Sequence, residues 1–232
     1  MRDPEIFKLS EIFTSLQGEG PSAGAPAVFV RLALCNLRCG WCDTRYTWDF
    51  ERYRYDDEVH EVPVARVAER IESSGVRRVI VTGGEPLLQT GALERLLQQL
   101  ADDVVVEVET NGTLAPSPAL AARVNQWNLS VKLEHSGESL ERRVKPAAVA
   151  AFRQTERAFL KLVVRSAADR DEVAALIERL EWPRERVYLM PEAADRRAHE
   201  ERALPVASLC GELGVRFAPR LHVLLWGGER GR

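Results

Sequence analysis

The sequence lacks the features that mark membrane, secreted and nucleic-acid-binding proteins. No apolar run approaches the roughly 20 residues of a membrane-spanning helix, and Met1-Arg2-Asp3-Pro4 does not begin a signal peptide. The formal net charge of −3 does not predict a nucleic-acid surface. No repeat or linker divides the 232 residues, whose apolar share of 45% is typical of a globular protein. We therefore expect one cytoplasmic domain over residues 1–232, with neither a membrane nor a nucleic-acid partner.

Cysteine is also scarce, but its placement is informative. Three of the four cysteines, Cys35, Cys39 and Cys42, lie within eight residues in the spacing C-x3-C-x2-C. They directly follow the apolar run 27–34, which predicts a buried strand. Because α/β folds build their sites on loops at the carboxyl ends of strands, we expect the thiols to belong to a site. An odd number of thiols without a secretion signal argues against a disulfide.

Three close thiolates suit an iron–sulfur cluster better than a structural zinc ion. A structural zinc site takes four protein ligands, whereas the nearest histidine, His60, lies beyond a charged, aromatic segment and Cys210 is far along the chain. A four-iron cube bound by three thiolates keeps one iron open to a chelating substrate or cofactor. The spacing favours such a cluster, with a zinc-stabilised binding module as the alternative.

Apolar runs and helical periodicity alternate along the chain. Residues 6–20 begin as a strand, and a last strand is expected around 220–222. Between them, strands are predicted at 27–34, 78–82, 104–110, 127–132, 158–164 and 186–191, and helices at 63–74, 87–100, 167–180 and 198–213. Short connections and right-handed crossovers then predict an α/β fold, an incomplete TIM-like βα barrel of about six βα units.

Polar residues follow several of these strands where each one ends. Gly83-Gly84-Glu85 follows one strand, Glu109 closes the next, and Ser130 and Lys132 close a third. Because the carboxyl ends of parallel strands meet at one edge, these residues are expected beside the cysteines. Glu85 could accept a hydrogen bond from an ammonium group, and a Gly–Pro turn is the alternative.

Three further residues invite a functional interpretation. Gln17 and Glu19 are two residues apart, so an extended backbone points both to one side. A carboxylate beside an amide suits a guanidine-like edge of a heterocycle, and an ordinary polar turn is the alternative. Arg31 interrupts an apolar strand, which is costly unless the charge is paired or faces a site. It either pairs with a structural carboxylate or forms a fork for a substrate carboxylate.

Five stretches together resemble the 7-carboxy-7-deazaguanine synthase family of the radical S-adenosylmethionine (SAM) superfamily. They are LQGEG at 16–20, VRLALCNLRCGWCDTRYTW at 30–48, TGGEP at 82–86, ETNG at 109–112 and RLHVLLWG at 220–227. The resemblance runs from about residue 12 to the end of the chain, but segment 136–155 carries no such motif. Another radical SAM enzyme, such as an activase for a glycyl-radical enzyme, would share the cysteine loop without needing LQGEG or RLH.

The resemblance implies both a reaction and its requirements. The reaction is conversion of 6-carboxy-5,6,7,8-tetrahydropterin to 7-carboxy-7-deazaguanine with loss of ammonia, in the biosynthesis of queuosine. The cofactors are a [4Fe–4S] cluster, SAM and Mg²⁺. The partners are a small pterin substrate, an external electron donor of the flavodoxin or ferredoxin type, and a second copy of the chain in a homodimer.

The resemblance also implies a role for individual residues, in three sets. The cluster ligands are Cys35, Cys39 and Cys42, with Thr44 as the Mg²⁺ ligand. The substrate contacts are Gln17, Gly18, Glu19, Arg31, Thr82 and His222. The SAM contacts are Trp41, Cys42, Asp43, Gly84, Glu109, Ser130 and Lys132. Some family members place their C-terminal carboxylate at the substrate, and whether Arg232 reaches the site here is left open.

Overall fold

The computed structural model describes residues 5–232, which form one nine-stranded sheet in the order β3-β1-β2-β4-β5-β6-β7-β8-β9. The strands are β1 (Ile6–Leu16), β2 (Pro26–Leu32), β3 (His60–Pro63), β4 (Arg78–Gly83), β5 (Val105–Thr110), β6 (Gln126–Leu129), β7 (Ala158–Val164), β8 (Val187–Pro191) and β9 (Arg216–Phe217). The helices are α1 (Tyr55–Glu58), α2 (Val64–Ser73), α3 (Thr90–Gln99), α4 (Pro118–Arg123), α5 (Leu140–Arg143), α6 (Pro146–Arg153), α7 (Arg170–Arg179), α8 (Arg196–Leu213) and α9 (Leu221–Trp226).

The sheet is parallel from β2 to β9 and is extended at one edge by antiparallel strands. Neighbours from β2 onward pair in parallel, while β1 pairs antiparallel with β2 and β3. Helical crossovers follow β2, β4, β5, β6, β7 and β8. The edge strands β3 and β9 do not pair with each other, so the described chain forms an open barrel. The predicted incomplete barrel of about six βα units is confirmed.

The strands separate their side chains between two faces because successive residues in a strand point in opposite directions. Val28, Val30 and Leu32 of β2 belong to the main apolar core with the helices. The alternate residues of the parallel strands face the barrel interior. Among those interior residues are Arg31, Thr82, Glu109 and Lys161, from β2, β4, β5 and β7 respectively. The same period that builds the core therefore sends these polar side chains into one space.

Helix α2 shows why the crossovers cover the sheet. Its buried residues Val64, Val67 and Ile71 recur at helical spacing and lie on one face. Burying each such side chain contributes about 1.5–3 kcal/mol. Helix α3 follows a 3₁₀ turn at Pro86–Gln89. The helix predicted at 87–100 therefore begins as this tighter turn.

Two predictions about strands need correction. The expected strand around 220–222 is wrong, because residues 221–226 form helix α9 and β9 is only Arg216–Phe217. Pro219 follows β9 and lacks the N–H that a ladder needs. The strand predicted at 127–132 ends at Leu129, so Ser130 and Lys132 lie on the segment that follows it.

Candidate active site

A cavity of about 360 Å³ opens where the parallel strands reach their carboxyl ends. Its lining contains every residue to which the family resemblance assigned a cluster, magnesium, SAM or substrate contact, whereas Glu85, also expected beside the cysteines, does not line it. The assigned residues are Gln17, Gly18, Glu19, Arg31, Cys35, Cys39, Trp41, Cys42, Asp43, Thr44, Thr82, Gly84, Glu109, Ser130, Lys132 and His222. The same lining includes Lys161 and Arg220, which the sequence did not single out, and Arg232.

The cysteine loop leaves β2 with all its thiols free. The backbone N–H of Leu37 donates to Cys35 Sγ at 3.5 Å, and the indole N–H of Trp48 donates to Cys42 Sγ at 3.3 Å. Such N–H groups tune the electronics of iron–sulfur ligands. Burial raises the pKa of Cys35 to about 12, so binding of iron has to displace the thiol proton.

The three thiols need not converge on one point to serve a cluster. Within residues 5–232, no three His, Cys, Asp or Glu side chains form a group that could hold a single metal ion. In a cube each thiolate binds a different iron, so the ligands surround the cluster instead of meeting at one atom.

The Gly83-Gly84-Glu85 turn braces the start of the cysteine loop. The N–H of Gly84 donates to Leu32 O at 2.9 Å, and the N–H of Glu85 donates to Leu34 O at 2.8 Å. A Cβ on Gly84 would lie 2.1 Å from Leu34 O, so only glycine allows this approach. The buried Glu85 carboxylate accepts from the N–H groups of Leu87 and Asn111 and from the hydroxyl of Thr110. Glu85 thus ties β4 to β5 within the protein.

We expect Gly84→Ala to destabilise the protein by about 1–3 kcal/mol, since the added methyl overpacks against backbone. A domain of this size loses about 2–4 °C in melting temperature per kcal/mol. Gly211→Ala is the matched control, because nothing lies within 4 Å of an added Cβ there and alanine favours helix α8. Thermal melting of both variants measures the difference. Equal melting temperatures would show that the contact at Gly84 does not constrain the loop.

The segment without a family motif holds the outer side of the cysteine loop. The N–H of Gly40 donates to Ser136 O at 2.9 Å. The guanidinium of Arg142 donates to Asn36 O at 2.9 Å and pairs with Glu138 at 2.8 Å. The carboxylate of Glu138 also accepts from the N–H of Arg38. Part of segment 136–155 therefore shapes the loop, although no sequence pattern indicated it.

One side of the cavity is lined by an ammonium group and an indole N–H. The ammonium of Lys132 donates to Ser130 Oγ at 2.7 Å and lies 5.3 Å from the ring centroid of Trp41. The indole N–H of Trp41 is buried and has no hydrogen-bond partner among the described residues. Three free thiols and a buried unpaired N–H fit a cluster with an organic cofactor bound beside it.

A chain of ion pairs, buried or half-buried except at Asp43, crosses the opposite side of the cavity. Lys161 Nζ lies 2.5 Å from Glu19 Oε2 and 3.2 Å from Glu109 Oε1. Arg220 Nε lies 3.1 Å from Glu19 Oε1, and the same guanidinium pairs with Asp43. The chain links the cysteine loop to β7 and β5. Sequence reasoning missed Lys161, although it interrupts an apolar strand as Arg31 does, and Arg220, although it belongs to the RLH motif.

Opposite charges in this series of ion pairs shift the pKa values of Glu19 and Lys161. Burial alone would raise the pKa of Glu19, but Lys161 and Arg220 outweigh burial and hold that pKa well below its usual range. Burial would lower the pKa of Lys161, but Glu109 and Glu19 raise it above its usual value. Glu19 and Lys161 are therefore both ionised across the physiological pH range.

Glu109 lies with the predicted substrate contacts. It accepts from Thr82 Oγ1 at 2.8 Å and from Gln17 Nε2 at 3.3 Å. Arg31 pairs through Nε with Glu11 on the neighbouring strand at 2.6 Å, so the structure contains the structural carboxylate that the sequence left as one alternative. Arg31 also lines the cavity.

Helix α9 places His222 against the LQGEG loop. The N–H of Leu221 donates to Gly18 O at 2.8 Å, and a Cβ on Gly18 would lie 2.1 Å from His222 Nδ1. A side chain at position 18 would therefore displace the His222 ring. Burial lowers the pKa of His222, with Glu19 opposing and Arg220 reinforcing the shift. The ring is thus neutral at pH 7, with Nε2 at 3.9 Å from Glu19 Oε1.

Comparisons with known proteins agree with this site. The family model described as the Radical SAM superfamily matches residues 31–166. The chain is 40% identical to the 7-carboxy-7-deazaguanine synthase of Pyrobaculum aerophilum over 97% of each chain. It is 37% identical to that of Hyperthermus butylicus, covering 95% of this chain and 93% of the relative.

A solved structure shares the fold. QueE from Escherichia coli superposes with a TM-score of 0.65 at 24% identity, covering 94% of this chain and 95% of the other. The fold, the family model and the relatives matched over more than nine-tenths of their length lead to one conclusion. The chain belongs to the 7-carboxy-7-deazaguanine synthase family of the radical SAM superfamily.

Proposed function

We propose that the chain converts 6-carboxy-5,6,7,8-tetrahydropterin to 7-carboxy-7-deazaguanine with loss of ammonia. The product would feed the biosynthesis of queuosine and related 7-deazapurines. One observation carries the proposal: a single cavity joins three free thiols to the carboxylate of Glu19 and the amide of Gln17. The names of relatives matched over more than nine-tenths of their length support the same reaction.

Membership of the superfamily implies a [4Fe–4S] cluster and SAM. Cys35, Cys39 and Cys42 would hold the cluster, each through one thiolate. When bound, the two cofactors supply a carbon radical that abstracts hydrogen from the substrate. The protein's own contribution is to hold the reactants together and to keep water away from them. The buried indole N–H of Trp41, which has no hydrogen-bond partner among the described residues, favours a bound cofactor beside the thiols.

The side chains nearest the thiols are suited to SAM. The ammonium of Lys132 and the hydroxyl of Ser130 can donate to its carboxylate, and the backbone at Gly84 can accept from its amino group. Asp43 and Glu109 were also predicted to contact SAM. Both are already engaged in the ion-pair chain, so a contact with SAM would use their remaining acceptor positions.

The ion-pair side of the cavity is suited to the pterin. The ionised Glu19 can accept two parallel N–H bonds from an amino-pyrimidinone edge, and the amide of Gln17 can complement it. Arg31 already pairs with Glu11 through Nε. Its planar guanidinium presents further donors, which can bind a carboxylate of the substrate. Neutral His222, Gly18 and Thr82 complete the proposed substrate contacts.

A magnesium ion is proposed at Thr44, whose hydroxyl is a hard oxygen ligand 3.5 Å from Cys42 Sγ. We expect Thr44→Val to form about 10- to 100-fold less product at limiting Mg²⁺, with iron and sulfide contents unchanged. Thr14→Val on the exposed face of β1 is the matched control and should match the wild type. Turnover titrated with Mg²⁺ measures the effect. A wild-type Mg²⁺ dependence in Thr44→Val would remove Thr44 as the ligand.

Further proposals concern the electron donor, the oligomeric state, the cellular location and the number of domains. We propose an external electron donor of the flavodoxin or ferredoxin type, a homodimer, and a cytoplasmic location. Free thiols at all four cysteines suit a reducing compartment. Within residues 5–232, no helix is both long and apolar enough to cross a bilayer. The chain is also proposed to be one domain, because the described strands share one sheet.

Product analysis tests the proposed reaction. Anaerobically reconstituted and reduced protein is incubated with SAM, Mg²⁺ and the carboxytetrahydropterin. We expect equal amounts of 7-carboxy-7-deazaguanine and ammonia, measured by mass spectrometry and an ammonia assay. Intact cluster content with no product would contradict the proposal, and zinc with no sulfide would instead support a zinc-stabilised module.

A further inference from the structure

Two buried cations in the cavity have no role in the reaction proposed so far. Lys161 is 4% exposed and Arg220 is 7% exposed. Lys161 lies in the middle of β7, whose other residues are all apolar. A buried charge costs several kcal/mol unless good partners compensate it. The contacts of both cations therefore indicate what they do.

Lys161 bridges two carboxylates from distant parts of the chain. Its ammonium contacts Glu19, on the loop after β1, and Glu109, at the end of β5. Two carboxylates that share a buried site repel each other, and one tends to take up a proton. One ammonium between them offsets this repulsion and fixes the distance from each carboxylate to β7.

Arg220 fixes the other oxygen of Glu19. Its Nε lies 3.1 Å from Glu19 Oε1, while its terminal nitrogens donate to Asp43 and to Ala193 O. Its backbone N–H donates to His199 Nε2 at 3.2 Å. The guanidinium is thus held on several sides, and it connects the cysteine loop to Glu19.

We propose that Lys161 and Arg220 are positioning residues that hold the Glu19 carboxylate in one orientation for the amino-pyrimidinone edge of a pterin. Each carboxylate oxygen has two acceptor positions. One cation occupies a position on each oxygen, which leaves the second position on both oxygens for the ligand. The inference rests on the proposed function, because Glu19 is the residue proposed to bind the pterin.

The proposal predicts a distinctive dependence on pH. The charged groups that face Glu19 are Lys161, Arg220, His222, Asp43 and Glu109. Burial favours the protonated form of Glu19, and Lys161 is one of the cations that counteract this effect. Removing Lys161 therefore raises the pKa of Glu19. A protonated Glu19 cannot accept two N–H bonds. Binding of the pterin should therefore weaken as the pH falls through the raised pKa and recover as the pH rises.

Lys161→Met is the first test, since methionine keeps the length of the side chain without its charge. We expect the KM for the pterin to rise about 30-fold at pH 8 and further at pH 6. The kcat should change less than threefold. Lys161→Arg should have a KM between that of Lys161→Met and that of the wild type. Lys8→Met, which removes a surface pair with Glu61, is the matched control and should leave the KM unchanged.

A double-variant cycle separates positioning from a merely structural role. If Lys161 acts through Glu19, Lys161→Met adds little to the KM of Glu19→Gln. An equal rise of KM in both backgrounds, or a wild-type KM in Lys161→Met from pH 6 to pH 8, would overturn the proposal. If Lys161→Met does not fold, as a melting curve would show, Arg220→Lys carries the same cycle because it keeps the charge but loses the fork. Absence of product from the wild type would instead refute the proposed function.

Discussion

Cys39→Ala is expected to lose its iron and its activity together. Cys39 is buried in the loop that follows β2, between Cys35 and Cys42. Without its thiolate only two of the three proposed protein ligands remain, so a four-iron cluster is no longer held at the site. Iron and sulfide should fall well below the wild-type content of about four each per chain. Product formation should fall by at least about 1,000-fold, because the reaction depends on the cluster.

Cys210→Ala is the matched control for this prediction. Cys210 is 5% exposed in the apolar core on α8, and its thiol donates to Arg216 O at 3.4 Å. Its removal should cost about 1 kcal/mol of stability and leave iron, sulfide and turnover unchanged. Anaerobic metal analysis and single-turnover kinetics compare both variants with the wild type. A Cys39→Ala protein that keeps its iron and cleaves SAM would contradict the assignment of the three thiols.

Glu19→Gln is expected to weaken pterin recognition and leave the cluster intact. The substitution removes a charge that Lys161 and Arg220 both contact, and it replaces one acceptor oxygen by a donor. Breaking a buried, hydrogen-bonded charge pair costs about 2–5 kcal/mol. We therefore expect kcat/KM for the pterin to fall by about 100-fold, mainly through KM. The iron and sulfide contents should equal those of the wild type.

Glu61→Gln provides the comparison at an exposed position. Glu61 pairs with Lys8 at 2.8 Å, but 65% of its side chain is exposed, and surface pairs of this kind contribute about 0–1 kcal/mol. Steady-state kinetics on both variants should leave Glu61→Gln at the wild-type kcat/KM. If Glu19→Gln also keeps wild-type kinetics, Glu19 is a turn residue with no part in binding.

Several parts of the fold could be predicted because a local pattern determines them. Strands such as β4 and β5 are apolar runs between helical segments, and their carboxyl ends carry the motif residues. Strand β3 could not be found in this way. It is a four-residue edge strand in which only Val62 is not exposed, so no apolar pattern distinguishes it from a loop. Helix α9 was taken for a strand because a six-residue apolar segment shows neither period clearly.

The residues of the site likewise include some that a local sequence pattern predicts and others that it does not. The thiols and the glycines were found from their spacing and motifs, which are local in sequence. The contact between Lys161 and Glu19 joins residues 142 positions apart, so no local pattern reports it. The same holds for the bond from Arg142 to Asn36 O across 106 positions. A charge inside an apolar strand remains a usable signal, since Lys161 and Arg31 both lie in such strands and both line the cavity.

We propose that one cavity holds the cluster, SAM and the pterin side by side. An anaerobic crystal structure with SAM and the carboxytetrahydropterin tests it most directly. We predict a cluster on Cys35, Cys39 and Cys42, and a pterin whose amino-pyrimidinone edge lies about 3 Å from both carboxylate oxygens of Glu19. A pterin bound outside this cavity, or bound within it but away from Glu19, would contradict the account.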